Sequence, residues 1–150
     1  MTTVTTPADV PHALKSFLTA FYRASDTGPS DNPSSHALYA DFFTEETTLL
    51  MGAQTFQGRE GVLEFRRKGW EKVRERRHVV LDVFLHPAAA TGETEREGEE
   101  REVMLRGTVE YGMKDGSEGK ADWAGYMRCR WVQEEGGYAL AFYQVYITPR

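Results

Sequence analysis

The chain has 150 residues, 40% of them hydrophobic and 27% charged, which suits one globular domain with a real core and is too short for two. Its 18 Lys and Arg stand against 23 Asp and Glu, a formal net charge of -5, which argues against a nucleic-acid binder because neutralising phosphates needs an excess of positive charge. A single cysteine, Cys129, excludes an internal disulfide and a thiolate metal cluster and suits a reducing compartment. The start, MTTVTTPADVPH, lacks a basic segment followed by an apolar run, and no apolar stretch reaches the roughly 18 residues of a spanning helix. No membrane association and a cytoplasmic location are therefore expected.

The first nine residues are Thr-rich and expected to fray. From Val10 the apolar positions Val10, Leu14, Phe17, Leu18, Phe21 and Tyr22 follow the spacing of one buried helical face, predicting a helix over 10–24 with Asp9 as N-cap. The stretch SDTGPSDNPSS breaks it, and Pro33 opens a second helix running to about Phe43 and presenting Leu38, Tyr39, Phe42 and Phe43. TTLLMG (47–52) reads as a strand and QTFQG (54–58) as its short partner. A third helix is predicted over 59–73, with Val62, Phe65, Gly69 and Val73 on one face and Arg66, Arg67, Lys68, Lys72 and Arg74 on the solvated one.

The second half reads as long strands over 76–86, 102–113, 120–133 and 138–148. Hairpin signals lie at KDGSEG and EEGG, and a mobile loop is expected at about 87–101. There is no internal repeat. Helices in front and strands behind give an α+β fold, one domain over 1–150 with an ordered core of about 10–148. A strongly curved antiparallel sheet wrapped over three helices leaves a hollow, where ligands go in such folds.

The runs FFTEETTLLMG, FQGREGVLEF and RRHVVLDVF resemble the SnoaL-like branch of the nuclear transport factor 2 superfamily. The ending GTVEYGMKDGSEGKADWAGYMRCRW with FYQVYIT is similar to fungal conserved proteins of that branch. The resemblance covers about 10–148. It implies a cone with one internal pocket, homodimers through the outer sheet face, and enzymes in which a carboxylate or histidine moves a proton on carbon while a Tyr, His or protonated acid steadies the oxyanion. It does not by itself carry a reaction, since the superfamily also has members with none. Isomerase-like relatives carry a general-base Asp near the position of Met51 and Gly52; this chain has no acid there.

His78 opens the long strand after the third helix, where resembling enzymes often hold a catalytic His. Strict alternation puts His78, Val80, Asp82 and Phe84 on one face, so His78 and Asp82 are the catalytic candidates, about 13 Å apart by strand rise and able to act on one ligand without touching. The bland alternative makes His78 a hydrogen-bonded core residue and Asp82 a solvent-facing one. Tyr39, Phe43, Tyr111, Trp123, Met127 and Tyr143 are the candidates to contact a flat hydrophobic ligand, with ordinary core packing as the alternative for each. The inward rows are Val103 to Tyr111, Trp123 to Trp131, and Ala139, Ala141, Tyr143, Val145 and Ile147. Arg106, Tyr126, Arg128, Phe142 and Tyr146 belong to outward rows whose mixed charge and aromatics suit a dimer interface. His12, His36, His78 and His86 lack metal-ligand spacing, and no phosphate-binding glycine loop or nucleophile elbow is present. Two functions are consistent with these residues. One is a cofactor-free lyase, isomerase or cyclase acting on a small hydrophobic oxygenated molecule through His78; the other is a non-catalytic ligand-binding or dimerisation module.

Overall fold

A computed structural model describes residues 2–7, 9–86 and 96–150; the loop expected at 87–101 lies largely outside these described residues. In chain order the elements are β1 (Thr3–Val4), α1 (His12–Asp26), α2 (Ser35–Ala40), β2 (Phe43–Met51), β3 (Gln54–Gln57) and α3 (Gly58–Trp70). Four long strands follow: β4 (Val73–Leu85), β5 (Glu100–Met113), β6 (Glu118–Val132) and β7 (Gly137–Pro149). Among the described residues the strands form one seven-stranded sheet in the order β1-β4-β5-β6-β7-β2-β3. The β4–β7 meander is antiparallel as expected, but β1 joins β4 and β2 joins β7 in parallel, so the sheet is mixed.

The helices cover the inner face. In α1 the residues Leu14, Phe17, Leu18, Phe21, Tyr22 and Ser25 are buried along one stripe. Phe21 is the hub of the core, packing its ring against Tyr22, Tyr39, Phe43 and Tyr143 at 5.1–5.8 Å between centroids. Three of these contacts are edge-to-face and that with Tyr39 is stacked, geometries that favour aromatic pairs beyond the area they bury. Two boundaries differ from expectation. The first helix begins after Pro11, with no capping by Asp9, and runs two residues further, through Asp26. The second ends at Ala40 because Phe43 is already in the sheet, opposite Leu140, and the Phe42 carbonyl takes the Leu140 amide.

The N-terminus is not frayed over its strand. Thr3 and Val4 pair with Val79 and Val80, and the Thr5 amide bonds the Val80 carbonyl. The face of α3 is also rotated from the expected one. Its buried residues are Val62, Arg66 and Trp70, four apart, whereas Arg67 and Lys68 are exposed. Arg66 is therefore no solvated residue; its guanidinium donates to the carbonyls of Ala24, Ser25 and Thr27, the unpaired end of α1.

Among the irregularities that break the strict alternation of the sheet, two decide which side chains face inward beside the cavity. In β4, Val80 pairs with Gly107 and Asp82 with Arg106, so Leu81 is an extra residue on that strand. Such a bulge shifts the phase by one. His78, Val80, Val83 and Leu85 consequently face the interior side, while Leu81 and Phe84 are exposed. In β7, Arg128 pairs with Phe142 and Cys129 with Leu140, leaving Ala141 as the extra residue. Tyr138 and Leu140 thus join the core before the bulge, and Tyr143 and Val145 after it.

Gly107 sits where β5 crosses the bulged strand. A Cβ there would lie 2.0 Å from the Val79 carbonyl oxygen and 2.9 Å from the Trp123 ring. The first neighbour is backbone and has nowhere to go. Gly107→Ala is expected to destabilise the protein by on the order of 3 kcal/mol, read from the midpoint of urea unfolding against an unchanged m-value.

Candidate active site

Between α3 and the inner face of the sheet lies a cavity of about 380 Å³. Its lining combines the apolar Phe56, Phe65, Trp123, Tyr143 and Val145 with Arg66, Arg76 and His78. Cavities of this size hold small ligands. A larger concavity of about 860 Å³ lies outside, between α1, α2 and the turn before β7, but it offers no histidine and is an open groove.

His78 is near the start of β4, opposite Val109, which also lines the cavity. Its Nδ1 lies 2.5 Å from Oδ1 of Asp26, in the last turn of α1. The Asp26 Oδ2 accepts the backbone N–H of His78 at 2.8 Å and the Thr2 hydroxyl at 2.5 Å. Both side chains are nearly enclosed, 15% and 9% exposed. The arrangement follows from the local topology. Because β1 is only two residues long, its ladder stops at Val79 and the His78 amide projects past it, free to bond the carboxylate. The imidazole is fixed by packing against Tyr22 and Trp123, with ring centroids 5.4 and 5.7 Å away. Nδ1 is committed to the carboxylate, and the His78 side chain lines the cavity. This is the geometry of a base oriented by an acid, one oxygen of which is itself anchored to backbone.

The hydroxyls of Tyr22 and Tyr143 are 2.9 Å apart in the core, and Tyr143 lines the cavity. Burial pushes both phenols well above their ordinary range, so they stay neutral and able to donate. Tyr39 also lines the cavity, under the Arg66 guanidinium at 4.6 Å from its ring, and burial pushes it up to about 12. Burial likewise raises the Cys129 thiol, removing it as a nucleophile near neutrality. Among the described residues no group of His, Cys, Asp and Glu could hold a metal ion, and no helix is long and apolar enough to cross a membrane.

The residues named from sequence divide accordingly. The structure brings Tyr39, His78, Tyr111, Trp123 and Tyr143 to the cavity. Phe43 and Met127 are fully buried in the core and do not line it. Asp82 is turned to the outer face by the bulge at Leu81 and pairs with Arg106 at 2.5 Å, so it does not share a face with His78. Three further residues are not singled out by the sequence pattern. Asp26 falls in the stretch that ends the expected helix, although Leu14, Leu18, Tyr22 and Asp26 form an unbroken i, i+4 row that continues the buried stripe onto it. Arg66 belongs to the expected solvated face although it follows Val62 by four, and Arg76 carries no signal beyond its place two residues before His78.

No family model matches the chain, and neither does any curated protein. Solved structures do. A candidate scytalone dehydratase from Novosphingobium aromaticivorans superposes with a TM-score of 0.71 at 13% identity, covering 91% of this chain and 82% of that one. The type 3 hexachlorocyclohexane dehydrochlorinase LinA from Novosphingobium barchaimii gives 0.68 at 12% identity, over 92% and 88%. An NTF2-like protein of unknown function from an Exiguobacterium species gives 0.60 at 16% identity, over 89% and 98%. The chain has the nuclear transport factor 2-like cone fold. Identities this low speak for the fold alone.

The short His78–Asp26 contact has a spectroscopic consequence. The wild type is expected to show a far-downfield imidazole Nδ1–H proton resonance, and Asp26→Asn is expected to abolish it while the remaining dispersion of the spectrum persists.

Proposed function

We propose that the protein is a cofactor-free lyase, isomerase or cyclase for a small hydrophobic oxygenated molecule, with His78 as general base and Asp26 as the residue that positions it. The observation that carries this reading is the enclosed His78–Asp26 pair, bonded through Nδ1, with His78 lining a cavity rich in aromatic residues. In the reaction, Nε2 takes a proton from a carbon made acidic by a neighbouring carbonyl or leaving group. The C–H electron pair then either forms a C=C bond as a group leaves the adjacent carbon, or moves into an enolate whose oxygen the Tyr143 hydroxyl can bond. The imidazolium is stabilised by the Asp26 carboxylate and returns its proton to the departing group or to another carbon. The names of two similar folds, a dehydratase and a dehydrochlorinase, denote eliminations, which fits such a proton removal.

The second expectation, pairing of two copies through the outer sheet face, belongs to the same proposal. Phe84 and Met104 stand opposite each other there, 58% and 42% exposed, beside Tyr126 and Phe142 with their rings 5.8 Å apart. Asp82–Arg106 and Glu100–Arg130 ion pairs flank them. Phe84→Glu is expected to convert a dimer to a monomer in light scattering after gel filtration; a monomeric wild type removes this part of the reading.

Catalysis is tested by incubating the protein in D₂O with cyclic β-hydroxy and β-halo ketones and following loss of the leaving group and uptake of deuterium by NMR. His78→Ala is expected to abolish turnover at a melting temperature close to wild type, and Asp26→Asn to lower it by on the order of 10²–10⁴. Ligand-induced thermal stabilisation with no turnover in the wild type would instead favour a non-catalytic binding module.

A further inference from the structure

The cavity has a charge out of keeping with the rest of the molecule. The chain as a whole is acidic, with 23 Asp and Glu. Yet among the described residues no Asp or Glu lines the cavity, whereas Arg66, Lys68 and Arg76 do. Asp26 stands behind His78 and is spent on the His78 ring, the His78 amide and Thr2. Lys68 is half exposed at the rim, 3.3 Å from Glu64. That leaves two guanidiniums on the inner wall, and among the described residues neither forms an ion pair with a carboxylate.

The two arginines are differently employed. Arg66 is 2% exposed and uses both terminal nitrogens to bond the carbonyls that end α1, so its position is structural. Its Nε is buried with no hydrogen-bond partner. Arg76 rests on the Trp70 ring, 4.6 Å from its centroid, and among the described residues donates one hydrogen bond, to the Gly69 carbonyl at 2.7 Å. Most of its fork is therefore unused. Burial lowers the proton affinity of both groups, Tyr39 and Asp26 partly offset that in each, and Arg76 lowers Arg66 further, so the two guanidiniums repel each other. The nearby carboxylate of Asp26 opposes both charges, but it is engaged by His78 and Thr2 and forms an ion pair with neither arginine, and two adjacent buried charges of like sign are costly. An anion on a bound molecule would offset that cost and complete the arginine's hydrogen bonding, for which a carboxylate is the matching shape.

We propose that the ligand of this cavity is an aromatic or polycyclic carboxylate, its anionic oxygens held by the Arg76 guanidinium with the Arg66 charge beside it, and its apolar body lying against Trp123, Tyr143 and Val145. The inference rests on the cavity being the ligand site of the proposed function, but not on the chemistry at His78. It makes Arg76 the specificity-determining residue, which selects an acid over its neutral analogues.

Isothermal titration with 2-naphthoate and with 2-naphthamide, alike in shape and different in charge, tests it on the full chain. The wild type is expected to bind the carboxylate at least tenfold more tightly than the amide. Arg76→Gln is expected to erase that preference and Arg76→Lys to retain part of it. Equal binding of the two compounds by the wild type, no binding of the carboxylate at millimolar concentration, or an undiminished preference in folded Arg76→Gln would overturn the proposal. The wild-type comparison needs no variant to fold. Loss of turnover chemistry alone, with the charge preference intact, would strike the His78 reading and leave this one standing.

Discussion

The carboxylate of Asp26 is the joint on which the rest of the molecule turns. It is the point where a helix, the central strand of one flank and the N-terminal strand meet. One oxygen takes a backbone amide of β4 and a hydroxyl from the residue before β1; the other takes the ring of His78. A helix C-terminus is an unfavourable place for a negative charge, because the dipole and the open carbonyls both repel it. Here Arg66 from α3 occupies those same carbonyls with a positive charge. The acid at the end of α1 is thus tolerated because a third helix supplies the compensating cation.

Much of the fold was legible in the sequence because period and turn chemistry are local. The inward rows of β5 and β6 alternate without fault over long runs, and the glycines at 116 and 136 adopt the left-handed conformation that their turns require. The failures have a common origin in positions where one residue too many, or one polar residue too long, breaks a local rule. Leu81 is an ordinary β-branched-strand neighbour in sequence, and nothing in its side chain announces that it will be the unpaired residue of a bulge. The signal lies instead across the sheet, in Gly107, whose missing side chain admits the distorted partner. The candidate site suffered most from this, since a one-residue phase error carried Asp82 to the ligand side on paper and to the solvent side in the fold.

Arginine misled for a different reason. A helical wheel scores Arg66 by its charge, but its stem packs as an aliphatic chain and only the tip is polar. Where the tip meets the end of another helix, the residue belongs to the core. The same reasoning separates Phe43 and Met127 from Trp123 and Tyr143. All four face inward, but the first two are covered by neighbouring side chains and the second two border empty space, a distinction of three-dimensional packing that alternation alone does not contain.

The shortest strand has the longest reach. β1 contributes two residues to the ladder, and stability in a folded protein is not uniform: edges held by a few backbone bonds open far more often than the whole molecule unfolds. Local opening of that edge would remove Thr2 from Asp26 and expose the carboxylate from behind without any change in the aromatic wall that a ligand would touch. Solvent access to the buried acid is thereby tied to a short edge on the far side from the cavity lining.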